Sequence, residues 1–254
     1  MKTQSKVLAH RGFSAKYPEN TLLAFRKAFE LPIEGLEFDV HITADEVPVV
    51  IHDAKVDRTT DGQGRIALMD CDAVRTLNAS AHRPEFGFQS VPTLLEVLND
   101  AYQMRPDGLY NIEIKVDGAD WKPLVDRVVS VVHNHPLKRR VLVSSFHHDC
   151  LAYLKERDAS FEIGLLMADF EDEPWYLAKQ LNAYSVNLDY RNTTDDLVRG
   201  CRDHQIRTAV WTVDEPETIR RFMRLDTDLL ITNVPDVAES VRSTLAETAL
   251  KTLY

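Results

Sequence analysis

Two short runs carry the clearest chemistry in this chain, Glu37-Phe38-Asp39 and Glu113-Ile114-Lys115. Both sit inside apolar stretches with the composition of strands. Residues two apart on a strand share a face, so each run shows two charges on one side and an apolar side chain on the other. A carboxylate inside an apolar strand is costly unless it is paired or bound to a metal. Taken singly, either run reads as a structural salt bridge to Lys115 or an arginine. Three strand-borne acids, Glu37, Asp39 and Glu113, at one end of a sheet point instead to a cation held by oxygen ligands. That ligand set suits Mg²⁺ or Ca²⁺ more than Zn²⁺. His10 and His52 are the acid/base candidates, because imidazole titrates near neutral pH. Arg11 and Lys115 can neutralise a phosphate, one with a planar fork and the other with a point charge. Ser144 and Ser145 lack a paired base in the sequence, so hydrogen bonding is expected of them and not attack.

The elements that must position these groups alternate. Strands are expected at Lys6–His10, Leu36–Ile42, Val47–His52, Tyr110–Lys115, Arg140–Ser145, Glu162–Met167, Tyr184–Leu188, Arg207–Thr212 and Asp228–Thr232. Helices are expected at Asn20–Leu31, Thr93–Tyr102, Trp121–His133, Asp149–Arg157, Pro174–Leu181, Thr194–His204, Glu217–Arg224 and Asp236–Leu253. A strand–helix rhythm of this length predicts an α/β barrel or an open doubly wound sheet. In a barrel the reacting groups sit where strands end, and His10, Arg11, His52, Lys115, Asn187 and Trp211 lie on or at such ends. Nine strands are one too many for an eight-stranded barrel. Only Thr43 to Glu46 separate Ile42 from Val47, too few residues for a parallel crossover, so those two runs should form an antiparallel hairpin. With Ile42 facing Val47, Glu37 would lie opposite His52 and Asp39 opposite Val50. Residues 54–92, with Gly62, Gly64, Gly87, Pro84, Pro92 and one short helical stretch, Met69 to Leu77, read as an insertion capping one end of a single domain.

Composition narrows the partners. The chain has 254 residues, 30 Lys plus Arg and 40 Asp plus Glu, for a net charge of −10. A phosphate-backbone binder needs a basic face, and the longest basic run is only Lys138-Arg139-Arg140, so nucleic acid is not expected as the partner. No apolar run is long enough to span a membrane. The stretch Met1–Lys6 and the residues after it form no signal-peptide core. Cys71, Cys150 and Cys201 are odd in number and unpaired in spacing, which fits a reducing cytoplasm. Oligomeric state is not encoded in any pattern seen here.

Further along, the residues match a family. His10-Arg11-Gly12, Pro18-Glu19-Asn20-Thr21 and Ala24-Phe25 resemble the opening of the glycerophosphodiester phosphodiesterases. Glu37-Phe38-Asp39-Val40, Thr43, Asp45, Pro48-Val49-Val50 and His52-Asp53 resemble its second block. Arg58-Thr59-Thr60-Asp61-Gly62-Gln63-Gly64, Asn111-Ile112-Glu113-Ile114-Lys115, Ser144-Ser145-Phe146, Trp211-Thr212-Val213 and Thr232-Asn233-Val234-Pro235 continue the match in order. The resemblance implies a distorted TIM-type (β/α)8 barrel with a small insertion after the third strand. It implies metal-dependent hydrolysis of glycerophosphodiesters, such as glycerophosphocholine or glycerophosphoethanolamine, to sn-glycerol 3-phosphate and an alcohol. By position, Glu37, Asp39 and Glu113 would hold the divalent metal, Mg²⁺ or Ca²⁺. His10 and His52 would be the general acid/base pair, Arg11 and Lys115 would bind phosphate, and Trp211 would line the glycerol side. One departure concerns turn geometry: the family usually has Gly after the aspartate at position 45, and Glu46 stands here.

Two other functions share these features. A lysophospholipase D would need an apolar groove for an acyl chain, with Phe86, Phe88, Leu94 and Phe170 as its candidates. A silent barrel that only binds a phosphate ligand would be expected to lack a catalytic histidine or a metal acid, and this chain has all five. The dinucleotide-like Gly62-Gln63-Gly64 with Ala67 is read as loop chemistry and the His133-Asn134-His135 pair as capping, while His147-His148, near the barrel mouth, is read as lying behind the ligands or at the surface and not as ligating.

Overall fold

A computed structural model describes residues 5–118 and 120–251. The strands are β1 (Lys6–His10), β2 (Gly35–Ile42), β3 (Pro48–Val50), β4 (Leu109–Ile114), β5 (Val141–Ser145), β6 (Glu162–Met167), β7 (Ser185–Asp189), β8 (Arg207–Trp211) and β9 (Leu229–Thr232). All but β3 pair in parallel and close on themselves, β9 against β1 and β1 against β2, into an eight-stranded barrel of the TIM type. β3 stays outside and pairs antiparallel with β2. β2 therefore changes partner along its length: Gly35–Glu37 face β1, and Val40–Ile42 face β3. That fork is the distortion in the barrel, and it lies where β1 ends in His10.

The helices are α1 (Leu22–Phe29), α2 (Cys71–Arg75), α3 (Leu94–Met104), α4 (Lys122–His133), α5 (His148–Arg157), α6 (Trp175–Gln180), α7 (Asp195–Asp203), α8 (Pro216–Leu225) and α9 (Pro235–Lys251). Local chemistry starts them. Thr93 and Glu96 form a reciprocal capping box at α3, Thr21 caps α1 and Thr194 caps α7. Pro235 opens α9, a position where its missing N–H costs nothing. The expected end of that helix at Leu253, and residues Met1–Gln4 of the N-terminal reading, lie outside the described residues.

Two apolar layers hold the barrel. Outward-facing strand residues such as Phe38, Ile112 and Val143 pack under the helices. Leu8, Leu142, Ala209, Leu229 and Ile231 fill the inside. Each fully buried side chain of this kind contributes roughly 1.5–3 kcal/mol. The segment between β3 and Thr93 buries a smaller cluster, with Val56, Ile66 and Val74 set against Val49 and Ile51 at the β3 edge.

The hairpin register differs from expectation by one. Val40 faces Val50 and Ile42 faces Pro48, so Glu37 is not opposite His52 and Asp39 is not opposite Val50. Two physical causes agree. Val40 and Val50 both belong to the outer core, and a slip of one would turn that set inside out. The turn is also tighter than assumed: the Thr43 amide donates to the Val47 carbonyl at 3.1 Å, leaving three loop residues. Glu46 ends that loop with φ 60, the left-handed position of a three-residue hairpin. This conformation costs a non-glycine residue about 1–2 kcal/mol. Its side chain meets Arg127 at 2.5 Å in an exposed pair, which returns little. Glu46→Gly is expected to stabilise the protein by about 1 kcal/mol in urea unfolding; a lower midpoint would show that the Arg127 pair outweighs the backbone.

Candidate active site and metal centre

Strand register assembles the acids. His10 lies level with Glu37 and Glu37 with Asn111, while Asp39 lies level with Glu113. These residues point into the barrel above its apolar plug. The carboxylates of Glu37, Asp39 and Glu113 are all buried, and one ligand atom from each lies within 4.8 Å of the others. Lys115, just past β4, reaches Asp39 Oδ1 at 3.0 Å and Glu113 Oε1 at 2.5 Å. Arg11 approaches from the end of β1, with Nε 3.2 Å from Asp39 Oδ2. It can do so because the chain turns sharply there, with φ 55 at Arg11 and 80 at Gly12. A Cβ on Gly12 would lie 2.7 Å from the Ala24 carbonyl carbon, so only glycine fits the turn. Asn20 donates to Asp39 Oδ2 at 2.8 Å and fixes that carboxylate from behind.

The electrostatics show a site short of positive charge. Burial pushes the Glu113 carboxyl up to about 7, and the neighbouring Asp39 charge adds to it. Burial and the charges of Asp39 and Glu113 likewise hold Glu37 well above the usual carboxylate range. Asp39 resists its own burial, because Lys115 and Arg11 hold it below that range. Three buried carboxylates thus face two cations, and both cations converge on Asp39. Among the described residues, the polar contacts of the Glu37 carboxylate are the Arg11 amide at 3.3 Å and His10 Nε2 at 3.8 Å. An all-oxygen set with surplus negative charge and a spare carboxylate fits a hard divalent cation.

The histidines stand on either side of this centre with their inner nitrogens anchored. His10 Nδ1 lies 2.7 Å from Asn233 Oδ1, while the Asn233 Nδ2 group donates to Asp214 Oδ2 at 2.7 Å. A carboxylate only accepts, so this bond sets the amide's orientation, and its oxygen accepts a hydrogen bond from the His10 Nδ1–H. The Nε2 lone pair of His10 is left facing Glu37. Burial and the Arg11 charge push the His10 pKa down to about 4. His52 Nδ1 lies 2.6 Å from Asp53 Oδ1, an anionic partner where His10 has a neutral one. Burial lowers the His52 pKa as well. His41 donates to the His52 carbonyl at 3.0 Å and steadies the backbone there.

Between the histidines lies a cavity of about 100 Å³, lined by both of them together with Glu37, Asn111, Glu113 and Trp211. Beyond His52 and Phe146 it adjoins a wider groove of about 540 Å³. The structure therefore brings all eight sequence-picked residues together: His10, His52, Glu37, Asp39, Glu113, Arg11, Lys115 and Trp211. Trp211 is held by its indole N–H on the Asn187 carbonyl at 2.9 Å and by an edge contact with Phe146.

Several residues were missed. Asn111 lines the cavity with its buried Oδ1 unpartnered. Its position two residues before Glu113, on the same strand face, could have flagged it. Asn233, Asp214, Glu19 and Arg58 act through distant partners; Asn233, Glu19 and Arg58 belong to the quoted motifs, and nothing in the sequence hinted at Asp214. Ser145 bonds as expected, donating to the Ile114 carbonyl at 2.8 Å, but Ser144 Oγ is buried without a partner. His133 pairs with Asp158, and His148 bonds the carbonyl of Leu166, a residue that lines the cavity. Of the acyl-groove candidates, Phe88 and Phe170 are exposed. Leu94 is fully buried in the core, and Phe86 is taken up by Tyr17 and Arg83.

Comparison with known proteins agrees with this geometry. The glycerophosphoryl diester phosphodiesterase family model matches residues 10–237. A glycerophosphodiester phosphodiesterase of Caldanaerobacter subterraneus subsp. tengcongensis is 36% identical over 91% of this chain and 94% of its own. The Oleispira antarctica phosphodiesterase solved with its product sn-glycerol-3-phosphate shares the fold, with a TM-score of 0.88 at 24% identity over 93% of this chain and 96% of that one. The Thermotoga maritima glycerophosphodiester phosphodiesterase structure has a TM-score of 0.74 at 27% identity, covering 94% of this chain and 97% of that one. With the family model and these relatives spanning nearly its whole length, the chain belongs to the glycerophosphoryl diester phosphodiesterase family.

Proposed function

We propose that the protein hydrolyses glycerophosphodiesters to sn-glycerol 3-phosphate and an alcohol, with two histidines exchanging protons beside a divalent metal. The observation that carries this reading is the pair of anchored imidazoles flanking a buried triad of carboxylates in one small cavity. Glu37, Asp39 and Glu113 would hold Mg²⁺ or Ca²⁺. A divalent cation held there would supply positive charge to offset that of the phosphodiester as the reaction proceeds. Arg11 and Lys115 sit beside the triad and draw the phosphate in.

The two histidines differ in a way that supports separate roles. His10 has a neutral partner and keeps its Nε2 lone pair towards the cavity, so it takes the proton from the attacking oxygen: either a water, which gives sn-glycerol 3-phosphate directly, or the glycerol 2-hydroxyl, whose cyclic phosphate a water then opens. His52 has the Asp53 carboxylate behind it, which favours the imidazolium, so it gives a proton to the departing alkoxide. Its place beside the wider groove supports that role, since an alcohol leaving there has room. Trp211 supplies an apolar wall for the glycerol carbons.

The chain is read as one domain with its insertion at about 54–92, acting on a small-molecule substrate in a reducing cytoplasm. All three cysteines are buried and free. Among the described residues no helix is long and apolar enough to cross a membrane. An enzyme-linked assay for sn-glycerol 3-phosphate is expected to respond to glycerophosphocholine and glycerophosphoethanolamine with Mg²⁺ or Ca²⁺ present. Choline release from lysophosphatidylcholine should stay at background. No glycerol 3-phosphate from any glycerophosphodiester would overturn the reading.

A further inference from the structure

Arg58 stands outside the cavity, at the start of the insertion, yet it joins two parts of the site. Its Nε donates to Asp53 Oδ2 at 2.6 Å and its Nη2 reaches Asp53 Oδ1 at 3.2 Å. The same guanidinium grips Glu19, with Nη1 2.9 Å from Oε2 and Nη2 2.8 Å from Oε1. Each carboxylate then continues inward. Asp53 accepts from His52 Nδ1 at 2.6 Å. Glu19 accepts from Arg11 Nη1 at 3.0 Å, and Arg11 Nε lies 3.2 Å from Asp39. An unbroken line of contacts thus runs from His52 out to Arg58 and back to Arg11 and Asp39. Glu19 belongs to the loop after β1, and Asp53 to the segment after β3. Without the guanidinium, two like charges from separate segments would face each other with nothing between them.

We propose that Arg58 is a positioning residue for the reaction, holding His52 through Asp53 and Arg11 through Glu19 in one fixed arc around the phosphate. This rests on the roles given above to His52 and Arg11. Exposed ion pairs add little to folding stability, and nearly half of the Arg58 side chain is exposed. The arrangement is therefore better explained by what it orients than by what it stabilises. It also demands arginine. A planar fork makes four contacts here, two to each carboxylate, and an ammonium with three protons cannot make all four. Misplacing a reacting group by about 1 Å costs on the order of 100-fold in rate.

The test uses the metal-loaded protein with glycerophosphocholine. Arg58→Ala is expected to lose about 100-fold in kcat/KM, shared between kcat and KM, with its melting temperature within about 2 °C of the parent. Arg58→Lys should recover little. Added methylguanidine should restore Arg58→Ala saturably and leave the parent unchanged. The two arms should separate: Asp53→Asn lowers kcat, and Glu19→Gln chiefly raises KM. Parental activity in Arg58→Ala overturns the proposal. So does a loss that tracks melting and resists methylguanidine, which would mark Arg58 as a structural anchor of the insertion. If the parent itself releases no glycerol 3-phosphate, the reading of the site has failed; if the parent turns over and Arg58→Ala equals it, only this proposal has.

Discussion

EDTA treatment is expected to abolish glycerol 3-phosphate release, and Mg²⁺ or Ca²⁺ to restore it. Asp39→Ala should match the loss, falling by about a thousand-fold or more, since a site cation supplies several kcal/mol of charge stabilisation. Asp39 is the point where Lys115, Arg11 and Asn20 converge, so its removal frees two cations to collapse onto the remaining acids. A second readout needs no substrate. In metal-free protein the Glu113 carboxyl is raised from 4.5 to about 7, chiefly by burial. The folded state then keeps a proton that the unfolded chain releases. Stability is fully present below pH 4.5 and is lost as pH rises through about 7, with Glu37 shifted in the same direction. The melting temperature of the metal-free protein should therefore fall between about pH 5 and pH 8. Added metal should cancel most of that fall, because it binds only the folded, deprotonated triad. Activity unchanged in EDTA, or a melting temperature indifferent to metal, would sink the assignment.

His52→Ala should lose about 10²–10⁴ in turnover on glycerophosphocholine and far less on a glycerophospho-p-nitrophenyl ester. An alkoxide needs a proton to leave, whereas nitrophenolate does not. His10→Ala should lose heavily on both, because the attacking oxygen must shed its proton whatever departs. The opposite pattern would exchange the two roles. Near-parental turnover in both folded variants would rule out the two-histidine mechanism. The contrast follows from the second partner of each ring, an amide behind His10 and a carboxylate behind His52.

The net charge of −10 argues against a polyanionic partner but not against a phosphodiester. Three of the acids belong to the triad, and Arg11 and Lys115 stand beside them. Filling that triad with a divalent cation turns the local sign positive.

Periodicity alone determined much of this protein. Alternation within β2 and β4 put Glu37 with Asp39 and Glu113 on inward faces, and the nine strands and their helices stand within a few residues of their predicted places. Those signals are local, carried by neighbours two to four residues apart. Tertiary structure decided the rest. The register of β3 depended on a left-handed Glu46 and on which valines reached the outer core, neither visible in a pattern of alternation. The partner of His10 lies 223 residues away and arrives only because barrel closure sets β9 beside β1. Arg58 and Glu19 meet across 39 residues, between two loops with no periodicity to read. Hydrogen bonds between loops depend on where the closed sheet delivers their ends, and no local preference encodes that distance.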